Sequence, residues 1–218
     1  MNRVVICMSG GFDSSVLGGL SRGAVDLFPI FFEYAQPSLS EERASLLDFC
    51  SAMDLRDPMI VQLPPLQAND KSLSLPYYPF RNLLFATHAA VYAQHLGASE
   101  VWLGFIADAN ATAFPDSTDL LCTQVNILLE SVYGSKATVT VRSPNSTMRK
   151  RDLVMRAYEN NLPTDITYSC YRPNGRCRSC GACKAVISAF ASAATGLSES
   201  KRHELDMLNP YAVANVGQ

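Results

Sequence analysis

The sequence predicts an α/β fold built on a mostly parallel sheet, and three observations carry that expectation. Short runs of β-forming residues alternate with stretches of helical spacing along most of the 218 residues, the pattern of strand, crossover helix and parallel strand. The first such run ends in "MSGGFDSS", Met8 to Ser15, a glycine-rich turn leading into a helical stretch. No internal repeat, low-complexity tract or shift of composition divides the chain, so one domain over 1–218 is expected.

Each element follows from its residues. Val4 to Cys7 is an apolar strand, and Val16-Leu17-Gly18-Gly19-Leu20 belongs to the first helix. Val25 to Tyr34 ("VDLFPIFFEY") is rich in β-formers and reads as the second strand. Glu41 to Met53 sets Ala44, Leu47, Phe49 and Cys50 at helical spacing, and Met59 to Leu63 is a third strand stopped by Pro64-Pro65. Ser, Asn, Asp and Pro over 66–79 mark a loop. Arg81 to Leu96 is a long helix that Gly97 closes with a left-handed C-cap. Val101 to Ile106 is a strand, Asp108 to Thr118 a loop, Asp119 to Tyr133 a helix, Ala137 to Val141 a strand of mostly β-branched residues, and Lys150 to Asn160 a helix. Helices then cover both faces of the sheet. The tail "SESKRHELDMLNPYAVANVGQ" begins with helical charge patterning and then loosens, and no role is assigned to it.

Composition narrows the function classes. With 48% apolar residues the chain buries a sizeable core. A net charge of -2 gives no overall attraction to polyanions, so nucleic acid is not an expected partner. Only the stretches Arg142 to Arg156 and Arg172 to Lys184 are locally basic; solvated surface is the competing reading for both, set against the other chemistry close by. No apolar run is long enough to cross a bilayer, and the N-terminal one stops at Ser9-Gly10-Gly11, so a cytoplasmic protein without a membrane partner is expected.

A strand, a glycine turn and a helix N-terminus together form an anion site, because unpaired backbone N–H groups and the positive end of the helix dipole converge there. Phosphate is the expected ligand. Gly10 and Gly11 admit close approach of the backbone, Ser9, Ser14 and Ser15 add hydroxyls, Phe12 continues the turn, and Asp13 supplies a carboxylate suited to Mg²⁺. The stretch is neither a Walker A loop nor GxGxxG. It resembles SGGxDS, the signature of the PP-loop ATP pyrophosphatases, which cut ATP between its α- and β-phosphates. The competing reading is a tight turn whose serines only cap the helix.

Four of the seven cysteines, Cys170, Cys177, Cys180 and Cys183, fall within fourteen residues as C-x6-C-x2-C-x2-C. Close spacing favours a metal site over a secreted disulfide framework. Four thiolates suit tetrahedral Zn²⁺ in a closed structural site; a Cys₄ iron–sulfur cluster is the rival that sequence alone does not separate from it. Such a zinc segment over 168–190 would order a region lacking long apolar periodicity.

Loop and cysteines together resemble the 7-cyano-7-deazaguanine synthase (QueC) family. "FFEYAQ" (Phe31 to Gln36) is similar to that family's FDYGQ segment, "YYPFRNLLFATHAAVYAQHLGA" (Tyr77 to Ala98) to its PxRNxxF helix, and "SPNSTMRKRDLV" with "TYSCY" to its run into the metal site. The resemblance extends to about Phe190. It implies a Rossmann-like adenine nucleotide α-hydrolase fold, ATP and Mg²⁺ as cofactors with structural Zn²⁺, a homodimer, and 7-carboxy-7-deazaguanine and ammonia as substrates. Under it Asp13, Arg81 and Lys150 are the expected catalytic residues, the last two as cations offsetting pyrophosphate charge.

The departures concern acceptor recognition. Where the family shows G-x-N...D-x-S-G-Y-P-D-C-R-P-E-F, this chain has "GFIADANATAFPDSTDLL", Gly104 to Leu121. Ser117-Thr118 stand for Cys-Arg, Ala35 for a glycine, and Pro37-Ser38 for Arg-His. Asp108 and Asp116 are candidates for reading a guanine-like edge, since a carboxylate accepts two N–H donors in a fork; turn-capping is the alternative for each. Phe114 and Tyr171 are candidates for stacking on a base, with core packing, the commoner fate of a lone aromatic, as the alternative. His88 reads as a satisfied core histidine. Two further readings stay open: the adenylate passes to another amine, such as one on a partner protein, or the chain is a PP-loop tRNA-modifying enzyme.

Overall fold

The computed structural model describes residues 1–68, 76–108, 114–136 and 138–212. Parts of the loops expected over 66–79 and 108–118, the first residue of the strand expected over 137–141, and the end of the tail lie outside them. Five strands, β1 (Arg3–Cys7), β2 (Asp26–Glu33), β3 (Met59–Gln62), β4 (Glu100–Trp102) and β5 (Thr140–Arg142), form one sheet in the order β3-β2-β1-β4-β5. Every pair is parallel.

The sheet is buried on both faces, and β1 shows how. Val4 and Ile6 pack with Leu17, Leu46 and Phe49 of helices α1 (Phe12–Ser21) and α2 (Leu39–Ala52), while Val5 packs among Ala86, Ala89 and Ala93 of α3 (Arg81–Leu96). Successive side chains of a strand point to opposite faces, so an apolar run suits a strand covered twice. The alanines on the buried side of α3 bring that helix close to the sheet, and Gly97 ends it with φ 63°, the expected left-handed cap. α4 (Asp119–Tyr133) lies beside α3 on the same face.

Two strands differ from expectation, each for a visible reason. The strand expected over 101–106 stops at Trp102 because a side chain takes over the ladder: the Phe105 amide donates to Ser143 Oγ at 3.1 Å, and that hydroxyl donates to the Leu103 carbonyl at 3.0 Å. The last strand is Thr140–Arg142, and on its outer edge Asn126 mimics a neighbouring strand, its amide donating to the Val141 carbonyl at 2.9 Å and accepting from the Val141 amide at 2.7 Å.

Beyond α1 lie α5 (Lys150–Glu159) and α6 (Gly181–Ala194), which pack on each other, followed by α7 (Glu199–Met207). The expectation that the cysteine region lacks apolar periodicity is corrected by α6. It buries Cys183, Val186, Ala189, Phe190 and Ala193, a helical stripe that small residues and a cysteine disguise. Phe190 meets Phe12 edge-on, ring centroids 5.8 Å apart. Among the described residues no helix is long and apolar enough to cross a membrane.

Candidate active site

β1 is the point where the strand order reverses, with β2 on one side and β4 on the other. Loops leaving the carboxyl ends of such strands diverge and open a crevice. The loop after β1 is the glycine turn. Gly10 has φ 73°, and a Cβ there would collide with the Glu42 carbonyl and sit 3.0 Å from the Leu46 amide nitrogen, so only glycine fits. Inside the turn the Ser9 amide donates to Ser14 Oγ at 3.2 Å and the Gly11 amide to Ser9 Oγ at 3.3 Å. Gly11 caps α1 in extended conformation without a side-chain hydrogen bond, leaving the positive end of the helix at the loop.

This loop forms one end of a cavity of about 450 Å³. Ser9, Gly11, Phe12, Asp13 and Ser14 line it. Gly10 lies against α2 instead, and Ser15 is fully buried, its hydroxyl lacking a partner among the described residues. Lys150, the first residue of α5, reaches both carboxylate oxygens of Asp13 at 2.8 and 2.7 Å. Its backbone amide donates to Asp108 Oδ2 at 2.6 Å. Tertiary folding thus gathers Asp13, Asp108 and Lys150, far apart in sequence, on the cavity wall. Gly104 makes that possible, since a Cβ there would lie 3.1 Å from Ser14.

Arg81 lines the same cavity. Its Nη1 donates to the Tyr34 hydroxyl at 3.1 Å, and its guanidinium lies 5.8, 5.5 and 5.8 Å from the ring centres of Tyr34, Tyr78 and Phe85. Burial works against its charge, yet Tyr34, Glu42 and Asp116 together raise its pKa above the ordinary value. Among the described residues Arg81 Nε is buried with no partner, and so are both carboxylate oxygens of Asp116. Phe114 and Asp108 line the cavity while Asp116 lies behind it; Ser117 is held by Asn82 Nδ2 at 3.1 Å. His88 Nδ1 lies 2.9 Å from the Leu84 carbonyl oxygen, as a satisfied helix histidine does.

Glu42 escaped the sequence reading. It lines the cavity, accepting from Ser38 Oγ at 2.7 Å and from Gln36 Nε2 at 3.1 Å. Burial outweighs these bonds and the charge of Arg81 and pushes its carboxyl up to about 7. The only signal in the sequence was an acidic residue in a first helical turn, where dipole complementarity already explains it. Ser169 was also missed: its hydroxyl accepts the Phe12 amide at 3.0 Å, tying the glycine loop to the residue before Cys170.

The four cysteines converge. Their sulfurs all lie within 4.8 Å of one another. Sulfur separations of 3.4, 3.9 and 4.0 Å bracket the edge of about 3.8 Å that a tetrahedron of ~2.3 Å zinc–sulfur bonds requires. Backbone amides of Arg172 and Cys177 donate to Cys170 Sγ at 3.4 Å, and the Cys180 amide to Cys177 Sγ at 3.3 Å, the knuckle pattern that favours thiolates. Burial works against ionising Cys177, but hydrogen bonds from Ser179 and Cys180 outweigh it and bring the thiol down to about 5. So close a set of thiols cannot all ionise without a cation among them, and the donor set fits a tetrahedral metal.

An α/β sheet of this order, with an SGGxDS loop at its reversal point facing one cavity, defines a PP-loop nucleotide-binding protein. The solved U34-tRNA thiolase NcsA from Methanococcus maripaludis, described with its [4Fe-4S] cluster, shares the fold at a TM-score of 0.53 and 13% identity, over 94% of this chain and 71% of that one. The model of the family described as queuosine biosynthesis protein QueC matches residues 60–194, more than half of the chain. The chain belongs to the QueC family. Among curated relatives it is similar to the 7-cyano-7-deazaguanine synthases of Nautilia profundicola, 24% identical over 88% of this chain and 95% of the relative, and Methanosphaera stadtmanae, 27% identical over 88% and 94%.

Proposed function

We propose that this protein is an ATP-dependent 7-cyano-7-deazaguanine synthase. The observation that carries the proposal is the single cavity onto which the glycine loop, the Asp13–Lys150 pair and Arg81 all open, in a chain of the QueC family. A carboxylate is too poor an electrophile for ammonia. Its oxygen attacks the α-phosphorus of ATP, and pyrophosphate leaves into the glycine loop. Ammonia adds to the resulting acyl adenylate, and expulsion of AMP with loss of a proton gives the amide. A second ATP adenylates the amide oxygen, and loss of AMP and a further proton leaves the nitrile.

In this scheme the chain's work is positioning and charge stabilisation. Ser9, Gly11 and Ser14 hold the phosphates. Asp13 would hold Mg²⁺, which when bound neutralises phosphate charge. Lys150 then turns from Asp13 to the phosphate oxygens. Arg81 and Asp108, both on the cavity wall, face the acceptor: a guanine-like edge offers N–H donors to the Asp108 carboxylate and a carbonyl oxygen to Arg81, while Asp116 supports the Arg81 charge from behind the cavity. The cysteine cluster holds structural Zn²⁺ and braces the cavity through Ser169.

One observation favours a second reading. The loop carrying Ser117 departs from the family pattern at the acceptor side, and in this reading the adenylate passes to a different amine, including one on a partner protein. A tRNA-thiolating role is disfavoured, because burial pushes the free thiols Cys7, Cys50 and Cys122 up to about 12, 11 and 11. We also assign a homodimer, formed through the face of α4 that carries Leu120 and Ile127, 65% and 55% exposed; sedimentation of Ile127→Glu against the parent chain tests it.

Mass spectrometry of the protein with Mg-ATP, ammonia and 7-carboxy-7-deazaguanine tests the main reading. Nitrile together with AMP supports it. AMP without nitrile shifts the assignment to another amine acceptor, and no substrate-dependent AMP overturns it.

A further inference from the structure

Cys170 and Cys177 receive backbone amide donors, but among the described residues no backbone amide reaches Cys183. Its donor comes from far along the chain: the Tyr211 hydroxyl lies 3.2 Å from Cys183 Sγ. Both residues are buried, Tyr211 at 5% exposure and Cys183 at 0%. Tyr211 is held in place from several sides. Arg178, in the turn between Cys177 and Cys180, donates to its carbonyl at 2.5 Å, and its amide donates to Asn209 Oδ1 at 2.9 Å. Thr164 Oγ1 donates to the Leu208 carbonyl at 2.7 Å, and the Arg176 guanidinium sits 6.0 Å from its ring centre. Arg178 adopts φ 58°, a left-handed conformation that non-glycine residues rarely take.

We propose that Tyr211 is a positioning residue of the metal centre, orienting the Cys183 sulfur and coupling metal loading to docking of the segment after α7. The proposal rests on reading the cysteine cluster as a metal site. A neutral thiol is a weak acceptor for a buried phenol, whereas a metal-bound thiolate is a charged and strong one. Outer groups that hydrogen-bond a metal ligand fix its orientation and tune its basicity. Tyr211 lies past residue 194, where the match to the family model ends.

The test uses the full chain titrated with Co²⁺ and Zn²⁺ under reducing conditions, comparing Tyr211→Phe with the parent. The variant keeps the ring and loses only the hydroxyl. Tyr158→Phe is the control: the Tyr158 hydroxyl donates to Glu204 of α7 at 2.7 Å and touches no sulfur. The expected result is a shifted thiolate-to-cobalt charge-transfer band and roughly 10- to 100-fold weaker Zn²⁺ binding in Tyr211→Phe alone. Unchanged band and affinity in Tyr211→Phe, or an equal change in Tyr158→Phe, would overturn the positioning role while leaving the metal site standing. Absence of a charge-transfer band in the parent would overturn the metal reading and this proposal with it.

Discussion

The Phe12 amide donates to Ser169 Oγ across 3.0 Å, which joins the first turn of the glycine-loop helix to the residue before Cys170 of the four-cysteine cluster. A second bond runs alongside, from the Tyr168 amide to the Gly10 carbonyl at 2.8 Å. Ser169→Ala removes the first and leaves the Phe12 amide unpaired. We expect a loss of about 1 kcal/mol in urea unfolding and a raised KM for ATP with kcat little changed. A kcat loss at constant KM would mean that Ser169 acts in the chemistry instead.

The Asp13–Lys150 pair makes a sharper claim. Asp13→Asn and Lys150→Gln should each lower kcat/KM at least about 100-fold, the scale of a lost transition-state charge contact. Because the two act as a unit, the double variant should cost little more than the worse single one. Steady-state AMP release measures all three, and an Asp13 variant of full activity would remove it from the site.

Gly10 and Gly23 separate steric from conformational need. Both have positive φ, 73° and 78°, but a Cβ at Gly23 meets nothing within 4 Å. Gly23→Ala should cost only the left-handed penalty of about 1–2 kcal/mol. Gly10→Ala adds the collision with α2 and should cost several kcal/mol more and abolish ATP binding. Equal unfolding midpoints for the two variants would refute the close packing of loop and α2.

Glu42 imposes a pH dependence on stability. Its carboxyl rises from 4.5 to about 7 on folding, so in that window the folded chain binds more protons than the unfolded one. Stability therefore falls as pH climbs through the window and levels off above it, by at most about 3 kcal/mol from this group. Glu42→Gln, which imitates the protonated form, should flatten that part of the curve. Urea unfolding of both proteins from about pH 5 to about pH 8 decides it; parallel curves would exclude Glu42 as the source.

Much of the architecture was legible because its signals are local. Arg81–Leu96 and Asp119–Tyr133 match their expected bounds, since cap and breaker residues mark helix ends within a few positions. The glycine loop announced itself by Gly10, which alone tolerates φ 73° beside the Glu42 carbonyl. The cysteine spacing announced a cluster able to hold a metal for the same reason: four thiols from one short segment need no long-range folding to be recognised. Strand ends were less legible, because Ser143 and Asn126 replace ladder partners in ways no periodicity reveals.

The sequence by itself determined the α/β class, the glycine turn at the head of the first helix and the cysteine cluster, all properties of contiguous residues. Tertiary structure alone decided which distant groups share the cavity. Asp13 meets Lys150, and Arg81 meets Tyr34. Glu42 acquires its raised carboxyl from burial, and Ser169 and Tyr211 join the loop and the sulfurs to remote segments. Charge, desolvation and hydrogen bonding depend on separation in space, and separation in space is set by how strands order themselves in the sheet.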